Sequence, residues 1–163
     1  MALIVEDGTV VAGAEVYADL DYINSYLAGK GYTSWNPLSE FDQESAARRA
    51  MSFIDGFDFL GSRSSDTQTL EFPRVEIYYP SGIEMLGIIP TELKNAFCEA
   101  TYVESVSAGS LFPSTSDLSL KRRKVGSIER EFFKTTAGVN SQQPIILNLL
   151  KRFIYSGRRV SRC

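Results

Sequence analysis

The residues that could carry acid–base chemistry are two pairs of aspartates, Asp19 with Asp21 and Asp55 with Asp58. Two neighbouring carboxylates are the minimum for a general acid and a general base, as in glycoside hydrolysis. Both pairs stand where helices are predicted to begin or end, and aspartate is common at such positions. We therefore interpret them as solvated caps and surface charge.

Other catalytic classes are limited by composition. The sequence has no histidine and only two cysteines, Cys98 and Cys163. Within one chain this excludes a Ser-His-Asp triad, a Cys-His pair, a His-bearing metal site and a four-thiolate site. Neither glycine-rich phosphate-binding pattern occurs. Cys98 falls in a predicted helix, where a small buried hydrophobe is expected. The sequence thus predicts a protein that is not an enzyme and has no cofactor or metal.

Charge is divided along the chain. Residues 1–120 carry 6 Lys/Arg against 18 Asp/Glu, a net charge of −12, and residues 121–163 carry 11 Lys/Arg against 2 Glu, a net charge of +9. We call these parts the acidic body and the basic C-terminal segment. Such asymmetry indicates an arm that meets something acidic: nucleic acid, a membrane, a partner protein or the body of a second copy.

Length and hydropathy suggest one soluble domain. The 163 residues suffice for one substantial core. No apolar run approaches the roughly 18–20 residues of a membrane span. The first residues lack the basic start of a secretory signal. We expect synthesis and retention in a cytoplasm, or in a particle assembled there.

Hydrophobic periodicity predicts a mainly α (α+β) fold: a small bundle of three main helices with a short β-hairpin or extended arm, then a C-terminal helix and tail. The period is clearest in the third helix, whose stripe is Leu93, Ala96, Phe97, Ala100, Val103 and Ser107. The predicted helices span residues 18–29, 39–55, 90–108 and 142–150, the last running on towards 155. An extended lead-in precedes them. Prolines at 73 and 80 favour an irregular arm or edge hairpin over residues 68–90, and strand pieces are expected around Gly126.

Trp35 and the pair Arg48 and Arg49 can each be interpreted as structural or as functional residues of the acidic body. Trp35, the only tryptophan, is predicted to cover the core between two helices, with a base-stacking platform as the alternative. Arg48 and Arg49 are the only adjacent basic pair in the acidic body and are predicted to lie on a solvated face.

Several short motifs occur together in a fixed order. The most specific set is Gln68, then Phe72-Pro73-Arg74, Ile89-Pro90 and Lys94-x-Ala96. Over roughly residues 14–155 the chain resembles the small head–tail adaptor, or head completion, proteins of tailed bacteriophages. Some of these carry the label "putative DnaT-like single-stranded-DNA-binding protein". Phe72 is a departure, because tryptophan is expected before Pro-Arg.

The resemblance implies a structural virion protein at the head–tail interface, made in the host cytoplasm. Residues 1–155 would form one adaptor domain, with a basic extended or β segment at 121–143 and a flexible basic tail at 156–163. It implies a ring, usually of twelve copies, that docks on the portal and meets a tail or neck protein. Double-stranded DNA would pass through the ring's channel, and no membrane is involved.

The same resemblance selects residues for two roles. The arm that grips portal or neighbouring subunits would consist of Lys121, Arg122, Arg123, Lys124, Lys151, Arg152, Arg158, Arg159 and Arg162. The family motif, with a role in packing, comprises Trp35, Phe72, Pro73, Arg74, Pro90 and Lys94.

A single-stranded-DNA-binding accessory protein is the alternative function. Basic residues would contact phosphates, while Phe132, Phe133, Tyr155 or Trp35 stack on bases. The acidic body and a pI near 5.1 argue against it, because a nucleic-acid strand lying across that body would be repelled.

Overall fold

The computed structural model describes residues 2–112, 122–125, 128–131 and 143–155. Within these residues the chain is mainly helical with two small antiparallel hairpins, which confirms the predicted fold class. The helices are α1 (Leu20–Gly29), α2 (Glu40–Ile54), α3 (Thr91–Val106) and α4 (Gln143–Leu150), with one 3-10 turn at Thr33–Trp35. The strands are β1 (Ser62–Arg63), β2 (Arg74–Val75), β3 (Arg122–Val125) and β4 (Ile128–Glu131).

The first two helices begin at side-chain caps, of which the sequence analysis predicts the one at Asp19. An oxygen of Asp19 accepts the backbone N–H of Tyr22 at 2.8 Å, at the start of α1. Ser39 Oγ accepts the N–H of Asp42 at 3.2 Å and donates its own proton to the Asp42 carboxylate at 2.6 Å, at the start of α2. Ser39 is therefore a side-chain N-cap, and the Asp42 carboxylate contacts its hydroxyl, where the glutamate of a capping box would accept the backbone N–H.

Helix α3 is the centre of the fold, because α1, α2 and α4 all pack against it. Five members of its predicted stripe are buried, from Leu93 to Val103. Ser107 is exposed, so its place in the stripe is wrong. The cause is the helix end: α3 stops at Val106, before the sixth position can turn towards the core.

Small residues let α2 and α3 approach closely. Ala46, Ala47 and Ala50 of α2 are fully buried, as are Ala96 and Ala100 of α3. With no side chain beyond Cβ, these positions bring the two backbones together and leave little room for a larger residue. Aromatic and branched side chains complete the core around this pair, including Tyr17, Trp35, Phe72, Phe97, Ile146 and Phe153.

The connection from α2 to α3 is irregular, as the prolines predict. Strands β1 and β2 pair as Ser62 with Val75 and Arg63 with Arg74. A second hairpin follows, in which Tyr78 bridges Glu84 and the N–H of Tyr79 donates to the carbonyl of Ile83. We call residues 76–88 the arm.

Strands β3 and β4 confirm the strand pieces expected around Gly126. Their register pairs Arg122 with Glu131 and Lys124 with Glu129. The two glutamates of the basic C-terminal segment therefore stand at positions directly opposite basic residues. The rest of the predicted segment 121–143 and the predicted free tail 156–163 lie outside the described residues.

The chain after α4 returns to the body. The helix ends at Leu150, so the predicted extension of the helix towards residue 155 is wrong. Instead, Phe59 bridges Ile154 in an antiparallel sense, and the N–H of Leu60 donates to the carbonyl of Phe153 at 2.7 Å. Phe153 is buried among core aromatics, which pulls the chain out of the helix.

Candidate functional site: an acidic cavity and a projecting arm

A cavity of about 510 Å³ opens where α2 ends. Three parts of the chain line it. They are the loop after α2, the segment leading into β2, and Tyr155, which follows the Phe59–Ile154 bridge. We call it the acidic cavity, because it contains three carboxylates and one guanidinium. Its lining is Asp55, Gly56, Phe57, Asp58, Phe59, Gly61, Glu71, Arg74 and Tyr155.

Asp55 is the most perturbed carboxylate of this cavity. The hydroxyl of Tyr17 donates to one oxygen at 2.8 Å, and the N–H of Glu71 donates to the other at 3.3 Å. Burial raises the pKa of Asp55 from its ordinary value of 3.8 to about 6, although the Tyr17 hydrogen bond acts in the opposite direction. The prediction of a solvated cap is therefore wrong for Asp55, because the segment around Glu71 covers it.

Arg74 fixes the loop that forms the cavity's rim. Its guanidinium donates to the carbonyls of Leu60 at 2.7 Å and Gly61 at 2.8 Å, and pairs with the carboxylate of Glu71. Only 7% of Arg74 is exposed. A buried arginine needs such a set of acceptors, since each unpaired N–H would cost hydrogen-bond energy. The arginine of the Phe-Pro-Arg motif thus connects two loops.

The other motif residues also lie in the scaffold. Phe72 is buried, with its ring edge-on to Phe59 and Phe153. Pro73 accepts a hydrogen bond from the Gln68 amide, and Pro90 immediately precedes α3. Lys94 places its ammonium 5.8 Å from the centre of the Tyr22 ring, a cation–π contact.

Trp35 has no free face. The side chain is fully buried, and its indole N–H donates to the Asn24 side chain. The predicted cover of the core is confirmed, and base stacking on Trp35 is excluded in this conformation. Cys98 is likewise buried, and burial raises the pKa of its thiol well above the usual range.

Arg48 and Arg49 lie partly exposed, as predicted, but both are paired with carboxylates. Arg48 contacts Glu15 at 3.1 Å and Glu44 at 3.2 Å. Arg49 contacts the buried Glu104 at 3.1 Å. Glu44 stands one helical turn before Arg48 and is visible in the sequence, whereas Glu15 and Glu104 come from distant segments that it does not reveal.

Two fully buried glutamates of α3 went unrecognised in the sequence. Glu99 accepts hydrogen bonds from the hydroxyls of Tyr26 and Tyr32 and faces the ammonium of Lys30 at 3.5 Å. Glu104 takes the N–H groups of Gly109 and Leu111 besides Arg49. One signal was present: Glu104 stands four residues after Ala100, on the apolar stripe of α3.

The arm exposes large apolar side chains. Ile83 is 65% exposed, Leu86 59% and Tyr78 56%, and Tyr79 and Ile88 are also exposed. Five such residues on one short segment are more than scattered surface apolar residues, which are common on any protein. The arm is therefore a candidate interaction surface.

The described residues include only part of the predicted set of portal-gripping basic residues, which is separate from the arm at residues 76–88. Lys151 and Arg152 follow α4 on the surface, where Lys151 bonds Asn148 and Arg152 lies 3.4 Å from Glu92. Arg122, Arg123 and Lys124 form β3. The other four members, Lys121, Arg158, Arg159 and Arg162, lie outside the described ranges.

Across the described residues, no group of three His, Cys, Asp or Glu is arranged to hold a metal ion. Among the helices described, none is long and apolar enough to cross a membrane.

Together the fold and the cavity define a small α+β protein whose buried ionisable groups are hydrogen-bonded within its scaffold. A family model described as "Putative DnaT-like ssDNA binding protein" matches residues 1–163, so the chain belongs to that family. No curated protein and no solved structure matches the chain.

Proposed function

We propose that this protein is a structural component of a tailed-bacteriophage virion: a head–tail adaptor. In this role it forms a ring that docks on the portal, joins the DNA-filled head to the tail or neck, and leaves a channel for the genome. The role requires no catalysis, and the partners are further copies, the portal, a tail or neck protein and the passing double-stranded DNA. The resemblance of the sequence motifs suggests this role, and the exposed apolar side chains of the arm (residues 76–88) support it.

The exposed side chains of the arm indicate that its partner is a protein. Its exposed residues are tyrosines and aliphatic side chains, which are common at the centre of protein–protein interfaces. Within the arm the charged residues are the two acidic ones, Glu76 and Glu84, so it offers nothing that would attract a phosphate backbone. An exposed apolar segment on an acidic body suits subunit or portal contact.

Repetition of the contact suits a ring. A projecting arm and a separate receiving surface make a heterologous contact, and such contacts close into rings when the rotation between subunits permits. The acidic body would then repel DNA phosphates, so that a genome could slide through a channel lined by it.

Electron microscopy tests this proposal. We expect images of the purified protein, alone and mixed with the portal protein of its own virus, to show closed rings with an axial channel. Particle mass from light scattering gives the copy number independently. Monomers under both conditions, with no portal complex, would rule the adaptor function out.

Binding of single-stranded DNA is the second candidate, favoured by the family's description and by the basic C-terminal segment. Fluorescence anisotropy with a labelled oligonucleotide at about 50 and about 200 mM salt tests it, because phosphate contacts lose affinity steeply over that range. Micromolar or tighter, salt-dependent binding supports it. A chain with glutamine at positions 121–124 is the control, and should bind more weakly if this segment contacts phosphates.

A further inference from the structure

The β3–β4 hairpin has two faces that differ in charge. Successive residues of a strand alternate between the two faces of a sheet, and residues at opposite positions share a face. On one face each basic position stands opposite a glutamate: Arg122 with Glu131, and Lys124 with Glu129. The other face, which we call the arginine face, places Arg123 opposite Arg130 and Val125 opposite Ile128. The register therefore balances the charge of one face and concentrates two arginines on the other.

The arginine face needs a partner from outside the hairpin. Like charges at directly opposite positions destabilise an antiparallel pair. A two-stranded hairpin is also marginally stable in water unless one of its faces packs against another surface. Among the elements that the structure describes, β3 and β4 pack extensively only against each other. A matching surface would supply carboxylates for the arginines and apolar side chains for Val125 and Ile128.

The arm supplies both kinds of group. Tyr78, Ile83 and Leu86 are each more than half exposed. The arm's two carboxylates, Glu76 and Glu84, accept hydrogen bonds from neutral donors, and no ion pair among the described residues includes either of them. Guanidinium groups pair with carboxylates in a planar, two-point geometry, and arginine is enriched at protein–protein interfaces. The arm and the arginine face are therefore complementary in charge and in apolar character.

The two surfaces belong to different ends of α3. The arm leads into the start of α3 at Thr91, whereas β3 follows Phe112 in the chain, beyond the end of α3 at Val106. A helix of 16 residues is about 24 Å long. Two unlike surfaces that join the chain at opposite ends of one helix suit contact between neighbouring copies, because a heterologous contact uses two different surfaces of each copy.

We propose that the arginine face of one copy docks on the arm of a neighbouring copy. The two arginines of the face pair with the two glutamates of the arm, and its valine and isoleucine cover Ile83 and Leu86. A nucleic-acid strand is a poorer occupant, because its phosphate backbone gives the valine and isoleucine nothing apolar to pack against. The inference rests on the proposed ring and names the two surfaces that build it.

Disulfide cross-linking between two chains tests the contact. Both chains carry Cys163→Ser, and Cys98 stays because it is buried. One chain has Ile83→Cys, and the other, enlarged by a fused tag, has Val125→Cys. After mild oxidation, alone and with the portal protein, we expect a covalent pair of unequal chains on a non-reducing gel. Lys124→Cys, the adjacent position on the other face, is the matched control and should give about tenfold less product.

Two pairs of substitutions separate the arginine face from general charge attraction. Arg123→Gln with Arg130→Gln should lower the yield of the cross-link about tenfold, because the two glutamates of the arm lose their partners. Arg122→Gln with Lys124→Gln removes the same charge from the other face and should leave the yield within about twofold of the parent. Equal losses in the two variants would overturn the proposal.

Light scattering on the same samples separates this contact from the adaptor function. Rings without the cross-link between positions 83 and 125 would overturn the inference and leave the adaptor function intact. The cross-link in particles of only two chains would support the contact and contradict the ring. Absence of both rings and cross-link would reject both proposals.

Two further outcomes would assign the surfaces to other occupants and so overturn the inference. A cross-link that forms only within a chain carrying both cysteines would mean that the arm binds the hairpin of its own chain. Absence of the cross-link, together with oligonucleotide binding that depends on Arg123 and Arg130, would mean that the arginine face binds nucleic acid.

Discussion

Buried and exposed carboxylates have different roles in this protein. Glu99 and Glu104 are fully buried, and each has several donors. A buried charge is tolerated only when its hydrogen bonds are complete, so these residues tie α3 to the loops around it. Asp58, by contrast, is exposed at the edge of the acidic cavity and available to a partner.

Glu104→Gln should destabilise the fold. Glutamine presents an NH₂ group where Arg49, Gly109 and Leu111 need an acceptor, so at least one buried donor loses its partner. We expect a loss of about 2–3 kcal/mol in the free energy of unfolding, measured by urea titration. Glu92→Gln, the same substitution on the same helix, breaks only a surface pair with Arg152 and should cost about 0.5 kcal/mol or less. Equal losses would contradict the assignment of Glu104 as an anchor.

Asp55 should make stability fall as pH rises. Its pKa is about 6 in the fold against an ordinary value of 3.8, so the folded protein holds the proton more tightly than the unfolded chain. This contribution is full below pH about 4 and is lost as pH rises through 6. The difference between the two pKa values corresponds to roughly 3 kcal/mol in the free energy of unfolding.

The variant Asp55→Asn isolates this effect, because asparagine does not titrate. Its stability relative to the parent should increase between pH 4 and 7, by up to roughly 3 kcal/mol, in urea titrations at several pH values. Asp66→Asn provides the control for general charge effects. A difference between Asp55→Asn and parent that stays constant with pH would refute the raised pKa.

At the scale of elements, the sequence predicts what depends on local pattern. The start of α1 at Asp19 and the stripe of α3 both follow from residues within one or two turns. The predicted ends of α3 and α4 are too late because tertiary contacts hold the chain beyond them: Glu104 accepts the N–H groups of Gly109 and Leu111, and Phe153 accepts that of Leu60.

The cavity could not be predicted in this way. Asp55, Glu71 and Tyr155 come together only in the folded chain. The residues around Asp55 do not indicate its hydrogen bond with the hydroxyl of Tyr17, which is 38 residues away. The pairing of Arg48 with Glu15 and of Arg49 with Glu104 could not be predicted for the same reason. Charged residues in a helix look solvated until the segment that pairs with them is known.

The arm offers a prediction that separates stability from association. Ile83→Ser with Leu86→Ser changes two exposed side chains, so the free energy of unfolding should stay within about 0.5 kcal/mol of the parent. Ring formation and portal binding, followed by light scattering, should be lost if the arm is the contact. Phe41→Ser, on α2 and 73% exposed, is the control and should assemble normally. Assembly of the arm variant at parental affinity would remove the arm from the interface.

Across the whole molecule, the division of charge becomes more pronounced on folding. Four of the six basic residues in the acidic body, Lys30, Arg48, Arg49 and Arg74, form ion pairs with body carboxylates. The remaining carboxylates outnumber the remaining cations, so the body presents an acidic surface to a basic partner.

Deleting residues 156–163 should therefore weaken association with portal or neighbouring copies, most clearly at low salt, where charges act over longer distances. Sedimentation or light scattering at several salt concentrations measures it. A full-length chain with glutamine for Arg158, Arg159 and Arg162 separates charge from length. Unchanged association of both variants would sink the role of the tail in assembly.

The contact between Gly8 and Gly87 has a mechanical consequence. Gly8 has a φ of +107°, and a Cβ there would lie 2.1 Å from the carbonyl oxygen of Gly87. Its loop is held in turn by the carboxylate of Glu6, which accepts the N–H groups of Gly8, Val10 and Val11. The base of the arm is therefore held against the first segment of the chain. A load applied to the arm would be shared between that segment and α3, which begins at Thr91 just after the arm.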